Sequence, residues 1–240
     1  MNYYYLLYFA AILAAVFSLI AQISVKSRFS KFDTVISKRG ITGAKAAEYL
    51  LKCNGITDVS IQKIGGSLTD NYNPTNKTLS LSESTFASTS IAAIGVAAHE
   101  TGHAIQHAKK YGPLGFRRSI VPVANIGSRL GPYIALAGLA LPGIAKMESL
   151  YVWGDILVNA GLALCSCSMI FYLITLPVEF NASNRALKIL KENKVLDEEE
   201  LKGVKKVLGA AAMTYVAAAL SSCISFLRFF LMAKGRQRRR

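Results

Sequence analysis

Ser90-Ile-Ala-Ala-Ile-Gly-Val-Ala-Ala-His99-Glu100-Thr-Gly-His103-Ala-Ile-Gln-His107-Ala-Lys-Lys110 is the stretch from which the fold is read. It contains all three histidines of the chain. Its first half is small and apolar, as expected of a buried helix. On a helix, His99 and His103 lie four residues apart and project from one face. Two neutral imidazoles at that spacing can hold one Zn²⁺, and Glu100, one step round the helix, can reach a water on the ion. The ion lowers the pKa of that water towards about 7, and the glutamate takes its proton as hydroxide attacks a carbonyl. His107 lies about 12 Å along a straight helix from His99, too far for all three to share one ion. It is read as a residue beside the site or at its rim. Gly102, next to the metal-binding face, can let another backbone approach closely.

Around this stretch the chain is unusually apolar. Hydrophobic residues make up 52% of 240, concentrated in long runs, which argues for a membrane protein. The net charge of +14 could suggest nucleic acid. The basic residues cluster beside the apolar runs and at the C-terminus, however, so membrane borders explain them and no nucleic-acid partner is expected. The four cysteines form no ligand set: Cys165, Cys167 and Cys223 lie within apolar runs and Cys53 is isolated.

Working outward, residues 1–25 read as a first transmembrane helix, uncharged from 3 to 25 and long enough to span a bilayer. Lys26, Arg28, Lys31, Lys38 and Arg39 follow, which places the N-terminus outside and the next segment in the cytoplasm. Residues 26–118 form the polar, catalytic region. A helix is expected over Ile41–Asn54, capped by Thr42. Three alternating runs follow, Val59–Ile64, Leu68–Tyr72 and Thr78–Ser82, and predict a three-stranded meander feeding the metal helix. The strand just before that helix is expected to offer a free edge to an extended peptide.

Residues 119–178 read as two transmembrane helices joined by a short connection at 146–153. In the first, Gly127-x-x-x-Gly131 allows close helix packing, and Arg129 is expected to face the protein interior with a partner. Pro177 is expected in the first turn of a new helix. Residues 179–206 then read as amphipathic helices carrying the third metal ligand, and residues 207–240 as an apolar helix with a basic tail. Four spans starting from outside leave that tail outside, against the charge rule. Whatever the side, 26–118 and 179–206 share it, because two spans separate them. The fold class is thus a mostly α integral membrane protein. It has about four apolar helical segments and a small α+β, zincin-like catalytic region with a short sheet and the His-Glu-x-x-His helix.

A catalytic zinc takes three protein ligands and leaves one position open. No histidine remains outside the helix, so the third ligand is an Asp, Glu or Cys on the same membrane face. Glu179, which directly follows the third span, is the best candidate. Glu192 and the Asp197–Glu200 group compete but read as solvated surface, and Asp70 and Glu83 read as structural.

These residues carry a family resemblance. The chain resembles the YugP-type neutral zinc metallopeptidases, membrane proteins distantly similar to the HtpX group of gluzincins. The resemblance rests on Leu68–Pro74, Ser90–His107, Val121–Ser128, Leu176–Ser183 and Ala211–Leu220. It implies a membrane-embedded zinc peptidase with Glu179 as the metal-ligating glutamate. Two departures stand out. The family has His-Tyr-Asp where this chain has Asn71-Tyr72-Asn73, and Asp where this chain has Asn181. If that Asp orients a ligand histidine, Asn181 can still accept a hydrogen bond but brings no charge, which would weaken the ligand.

The expected activity is hydrolysis of peptide bonds, with His99, His103 and Glu179 on Zn²⁺ and Glu100 as general base. Arg185 and Tyr215 are candidates to stabilise the oxyanion. The expected partners are a peptide or membrane-protein substrate and the lipid bilayer. The expected place is the cell membrane, multi-pass, with a cytoplasmic active site; the oligomeric state is left open. Two other readings stand beside it: a membrane scaffold with a structural or degenerate metal site, and a zinc hydrolase of a non-peptide amide or ester.

Overall fold

The computed structural model describes residues 3–144 and 148–237. Seven helices and three strands follow in the order α1 (Tyr3–Asp33), α2 (Gly43–Cys53), β1 (Ser60–Ile64), β2 (Asn71–Asn73), β3 (Thr78–Ser82), α3 (Glu83–Phe86), α4 (Ile91–Ala108), α5 (Gly112–Ile144), α6 (Glu148–Glu192) and α7 (Glu198–Gln237). Contacts divide the chain into two units. One comprises residues 1–19, 116–176 and 215–240, and the other residues 20–115 and 177–214. Several expected borders fall inside continuous helices. α1 runs on past residue 25, because nothing from Lys26 to Asp33 breaks a helix and Phe29 buries itself in a core.

The first unit is helical. Among the described residues, three helices, each running through both units, are long and apolar enough to cross a membrane, at Tyr5–Asp33, Ser149–Glu192 and Glu198–Arg236. The expected second span is present as α5, a 33-residue helix, but it is not one of these three. Asn125, Arg129 and the prolines 122, 132 and 142 dilute its apolar character. The glycine pattern of α5 does act in packing. A Cβ on Gly127 would lie 2.2 Å from the Leu164 carbonyl oxygen, and one on Gly138 2.6 Å from the Gly154 carbonyl oxygen, so α5 and α6 touch backbone to backbone. Ala135, Cys165 and Phe229 form a small core beside them. Arg129 departs from expectation: it is exposed and, among the described residues, makes no hydrogen bond or ion pair. Close glycine packing turns the opposite side of α5 inward, which leaves Arg129 outside. Near the C-terminus Arg236 is not a free tail residue: its Nη1 donates to the Gly138 carbonyl at 2.6 Å and its Nη2 lies 3.5 Å from Asp155.

The expected connection at 146–153 is helical from Glu148 onward; residues 145–147 lie outside the described residues. Pro177 does not begin a new helix but sits inside α6. A proline inside a helix costs one backbone hydrogen bond. Here Val178, Ala182, Ala186, Ile189 and Leu190 are buried immediately after it, and that burial holds the helix through the defect. The expected helices at 197–206 and 207–233 are likewise one helix, α7. Its start is a reciprocal cap: Glu200 N donates to Asp197 Oδ1 and Asp197 N to Glu200 Oε2, at 2.9 and 2.8 Å. Glu200 is therefore buried structure rather than solvated surface.

The second unit holds the sheet and α4. Thr42 caps α2 as expected, accepting from Lys45 N, and Ala46 and Leu50 are fully buried. The sheet is not a meander. Its order is β1-β3-β2, with β1 parallel and β2 antiparallel to β3. The cause lies in residues 65–70. Asp70 accepts from Ser82 N and Ser82 Oγ at 2.8 and 2.9 Å, and Glu83 N donates to the Gly66 carbonyl. These bonds carry the chain past the C-terminal end of β3, so β2 returns on its far side. β3 is therefore the central strand, buried along its whole length, and the free edges belong to β1 and β2. The core joins Leu50 and Leu51 of α2, Leu79 and Leu81 of β3, Ile94, Ala97, Ala98 and Ile105 of α4, and Leu190 and Val204 of the two long helices. At about 25 cal/mol per Å² of apolar surface removed from water, such burial is the main stabilising term for α4.

Candidate metal centre

Helix α4 begins on Ser90, whose hydroxyl accepts from Ala93 N at 3.1 Å. The same hydroxyl donates to Asp33 Oδ1 at 2.6 Å, so the end of α1 fixes the start of α4. Fourteen of the eighteen residues of α4 are buried, which means it is held from nearly every side. On its polar face the rings of His99 and His103 meet edge to face with centroids 4.8 Å apart.

Glu179, on α6, reaches both. Its Oε2 lies 3.2 Å from His99 Nε2 and 3.5 Å from His103 Nε2. The ligand atoms of these three residues all fall within 4.8 Å of one another. Zn–N and Zn–O bonds of about 2.0–2.1 Å in a tetrahedron place ligand atoms about 3.3 Å apart. The donor set and the two separations from Glu179 therefore fit a zinc ion. The close approach depends on Gly102: a Cβ there would lie 2.6 Å from the Ala182 carbonyl oxygen of α6. Sequence reasoning found the close approach at Gly102 but not its partner.

The outer nitrogens of both imidazoles are occupied. His99 Nδ1 lies 3.1 Å from Ser183 Oγ, and His103 Nδ1 lies 3.0 Å from Gln106 Oε1. Gln106 is fully buried, and its Nε2 donates to the Val178 carbonyl at 2.8 Å and to Asn181 Oδ1 at 3.0 Å. Because that amide donates from its nitrogen, its oxygen faces His103, which must donate through Nδ1 and leave Nε2 as the ligand atom. Gln106 and Ser183 were missed by the sequence reading. The signal was available: Gln106 follows His103 by three residues, and Ser183 follows Glu179 by four, so each shares a helix face with a ligand. Asn181 does not touch a histidine; it acts on His103 only through Gln106. Its Oδ1 also accepts from Arg185 Nε at 2.7 Å.

Glu100 is 8% exposed, at the edge of the same face. Burial raises its pKa above the ordinary carboxylate value, against the opposing pull of His103 and His99. For His103 burial acts downward, but the hydrogen bond to Glu179 and the charges of Glu100 and Glu179 outweigh it and raise the pKa. His107 is half-buried at the end of α4, its Nδ1 2.9 Å from the Tyr72 hydroxyl of β2. It is not part of the three-residue group. Tyr215 belongs to the helical unit. Glu192 pairs with Lys188, Glu83 with Lys63, and Asp70 with Ser82, so none of these carboxylates competes as a ligand.

Comparison with known proteins gives two matches. The model of the family described as "Putative neutral zinc metallopeptidase" matches residues 7–234. A protein of Bacillus subtilis (strain 168) named "Putative membrane protease YugP" is 43% identical over 224 residues, which cover 93% of this chain and 95% of that one. No solved structure gives a significant match.

Proposed function

The chain belongs to the neutral zinc metallopeptidase family, and from that premise we propose that it hydrolyses peptide bonds with His99, His103 and Glu179 as zinc ligands and Glu100 as general base. One observation carries the reading: His99 Nε2, His103 Nε2 and Glu179 Oε2 converge at spacings that suit tetrahedral zinc. When bound, zinc supplies a Lewis acid that polarises the scissile carbonyl and brings the pKa of a water towards about 7.

The protein's own groups do the rest. Gln106 and Ser183 fix the two imidazoles with Nε2 facing inward. Glu100 takes the proton of the attacking water and delivers it to the leaving amine nitrogen. Its burial suits both halves of that task, because a raised pKa makes it a stronger base and lets it hold the proton until the C–N bond breaks. Arg185, whose Nε donates to Asn181 Oδ1, is the group we assign to donate to the oxyanion. β3 is paired on both sides, so an extended substrate adds instead to the outer edge of β2, whose Tyr72 meets His107 of α4.

The substrate is a peptide segment of a protein at or in the membrane. The basic run from Lys26 to Arg39 lies in the unit that carries the site, which supports a cytoplasmic active site in a multi-pass cell-membrane protein. The catalytic region corresponds to 26–118 with 179–206. Four crossings complete the architecture, with α5 as the fourth.

Glu100→Gln tests the mechanism. The variant is expected to keep its zinc and to lose cleavage of an unfolded protein substrate in detergent micelles. Cleavage at the wild-type rate by a zinc-replete variant would remove Glu100 from the chemistry.

A further inference from the structure

Helix α5 contains no Asp or Glu, yet it carries Arg129 in the middle of its apolar stretch. Its depth follows from the packing register within the helical unit. Gly127 meets Leu164 and Ser168, Gly131 meets Gly161 and Cys165, and Gly138 meets Gly154 and Val158. The two helices are therefore antiparallel, and Arg129 stands level with residues near Ala163. That is midway along the 149–176 part of α6, one of the helices apolar enough to cross a membrane. With α5 as the fourth crossing proposed above, on which this inference rests, that register sets Arg129 near mid-depth, roughly 15 Å from either face of a hydrocarbon core about 30 Å thick.

The side chain is exposed and, among the described residues, has no hydrogen bond or ion pair. Asn125 and Tyr133, one turn to either side, share its face and are exposed as well; Tyr133 is 71% exposed. A lone arginine at this depth is costly in lipid, and such residues normally meet an acceptor. Phosphate headgroups lie beyond the reach of an arginine side chain from mid-depth.

A second copy of the chain does not meet the need. Pairing about a two-fold axis through this face would set Arg129 against itself. Within residues 1–19, 116–176 and 215–240 the acidic residues are Glu148 and Asp155. Both lie at the start of α6, away from mid-depth, and Asp155 is already engaged by Arg236.

We propose that the Asn125–Arg129–Tyr133 face of α5 docks a transmembrane helix of another protein that carries a carboxylate near mid-depth. Arg129 pairs with that carboxylate, the amide of Asn125 and the phenol of Tyr133 hydrogen-bond beside it, and Ile126 and Leu130 pack along the helix flank. The proposal stands apart from the peptidase reading, since the docked helix can belong to a substrate or to a subunit.

The test uses the full-length protein in nanodiscs of zwitterionic lipid and three fluorescent transmembrane peptides. One is leucine throughout, one has a single central Asp, and one a single central Lys. Energy transfer reports association. The Asp peptide is expected to bind about ten-fold more tightly than the leucine peptide, the size of one polar contact in a bilayer. Arg129→Met is expected to abolish that preference and Arg129→Glu to transfer it to the Lys peptide. Equal binding of the Asp and leucine peptides to the unaltered protein would overturn the proposal without need of any variant. So would a preference that persists in Arg129→Met. Loss of the preference on adding anionic lipid would assign Arg129 to a phosphate, and competition by self-association would assign the face to a second copy; either result overturns the proposal.

Discussion

Gly102→Ala probes how closely α4 and α6 must approach for the metal centre to form. The added Cβ would lie 2.6 Å from the carbonyl oxygen of Ala182 and 3.2 and 3.3 Å from its carbonyl carbon and Cα. These are backbone atoms of a helix, so no rotamer change relieves the contact. Against an ordinary separation near 3.4 Å, the helices must part by roughly 0.8 Å at this point. Ala182 follows Glu179 by three residues and precedes Ser183, so the shift falls on the proposed third ligand and on the partner of His99. Metal–ligand distances tolerate only about 0.2 Å. Zinc affinity is therefore expected to drop about ten- to a hundred-fold, and stability by about 1–3 kcal/mol from overpacking. Competition against a chromophoric chelator reads the first and thermal melting the second. The melting loss should be larger with zinc present, because the variant also forfeits the stabilisation that bound zinc provides. Zinc affinity within about two-fold of wild type would refute the claim that Gly102 sets the ligand geometry.

Other perturbations follow from the same site. Gln106→Leu removes the acceptor of His103 and the donor to the Val178 carbonyl, while Asn181 keeps its bond from Arg185; zinc affinity should fall about ten- to a hundred-fold, and Ser183→Ala should do the same to a lesser degree through His99. Equal affinity in both variants, measured by chelator competition, would show that the imidazoles need no such support. Zinc binding should also depend on pH. The metal-free pKa of His103 is raised above its usual ~6.5, and zinc takes only the neutral imidazole. Affinity should therefore rise as pH climbs through that raised value, with proton release seen by calorimetry in buffers of different ionisation heat. The metal-free protein should behave oppositely. The stability His103 contributes is fully present below its unfolded pKa and is lost as pH rises through the folded one. A zinc affinity that falls with rising pH across the same window would contradict the assignment of His103.

What the sequence disclosed and what it withheld have physical causes. The four-residue spacing of His99 and His103 is a helix property, so local periodicity sufficed to place both on one face. The place of Glu179 beside the two histidines could be reached because only three histidines exist and the span count restricts where another donor can come from. Strand order is different in kind. Alternation identifies β1 and β3 and places the second strand three residues early, at Leu68–Tyr72 where β2 is Asn71–Asn73, but it does not say which pairs with which. The decision rests on Asp70 reaching Ser82, twelve positions along the chain, a contact no periodicity announces. Pro177 and the expected helix borders misled for a related reason. A local break signal was overridden by the burial of Val178, Ala182 and Ala186. Arg129 was expected to face inward on the general cost of charge in lipid. The glycines of α5 decided otherwise by claiming the inward side for α6.

The central claim is that α4 cannot complete its own metal site and that α6 supplies the missing ligand. Metal analysis of purified wild type and Glu179→Ala tests it most directly, with His103→Ala as a reference for loss of a ligand. The account predicts one zinc per chain in the wild type, and in Glu179→Ala a loss as deep as in His103→Ala while the protein remains monodisperse. Full zinc content in Glu179→Ala would contradict it and send the search for the third ligand elsewhere.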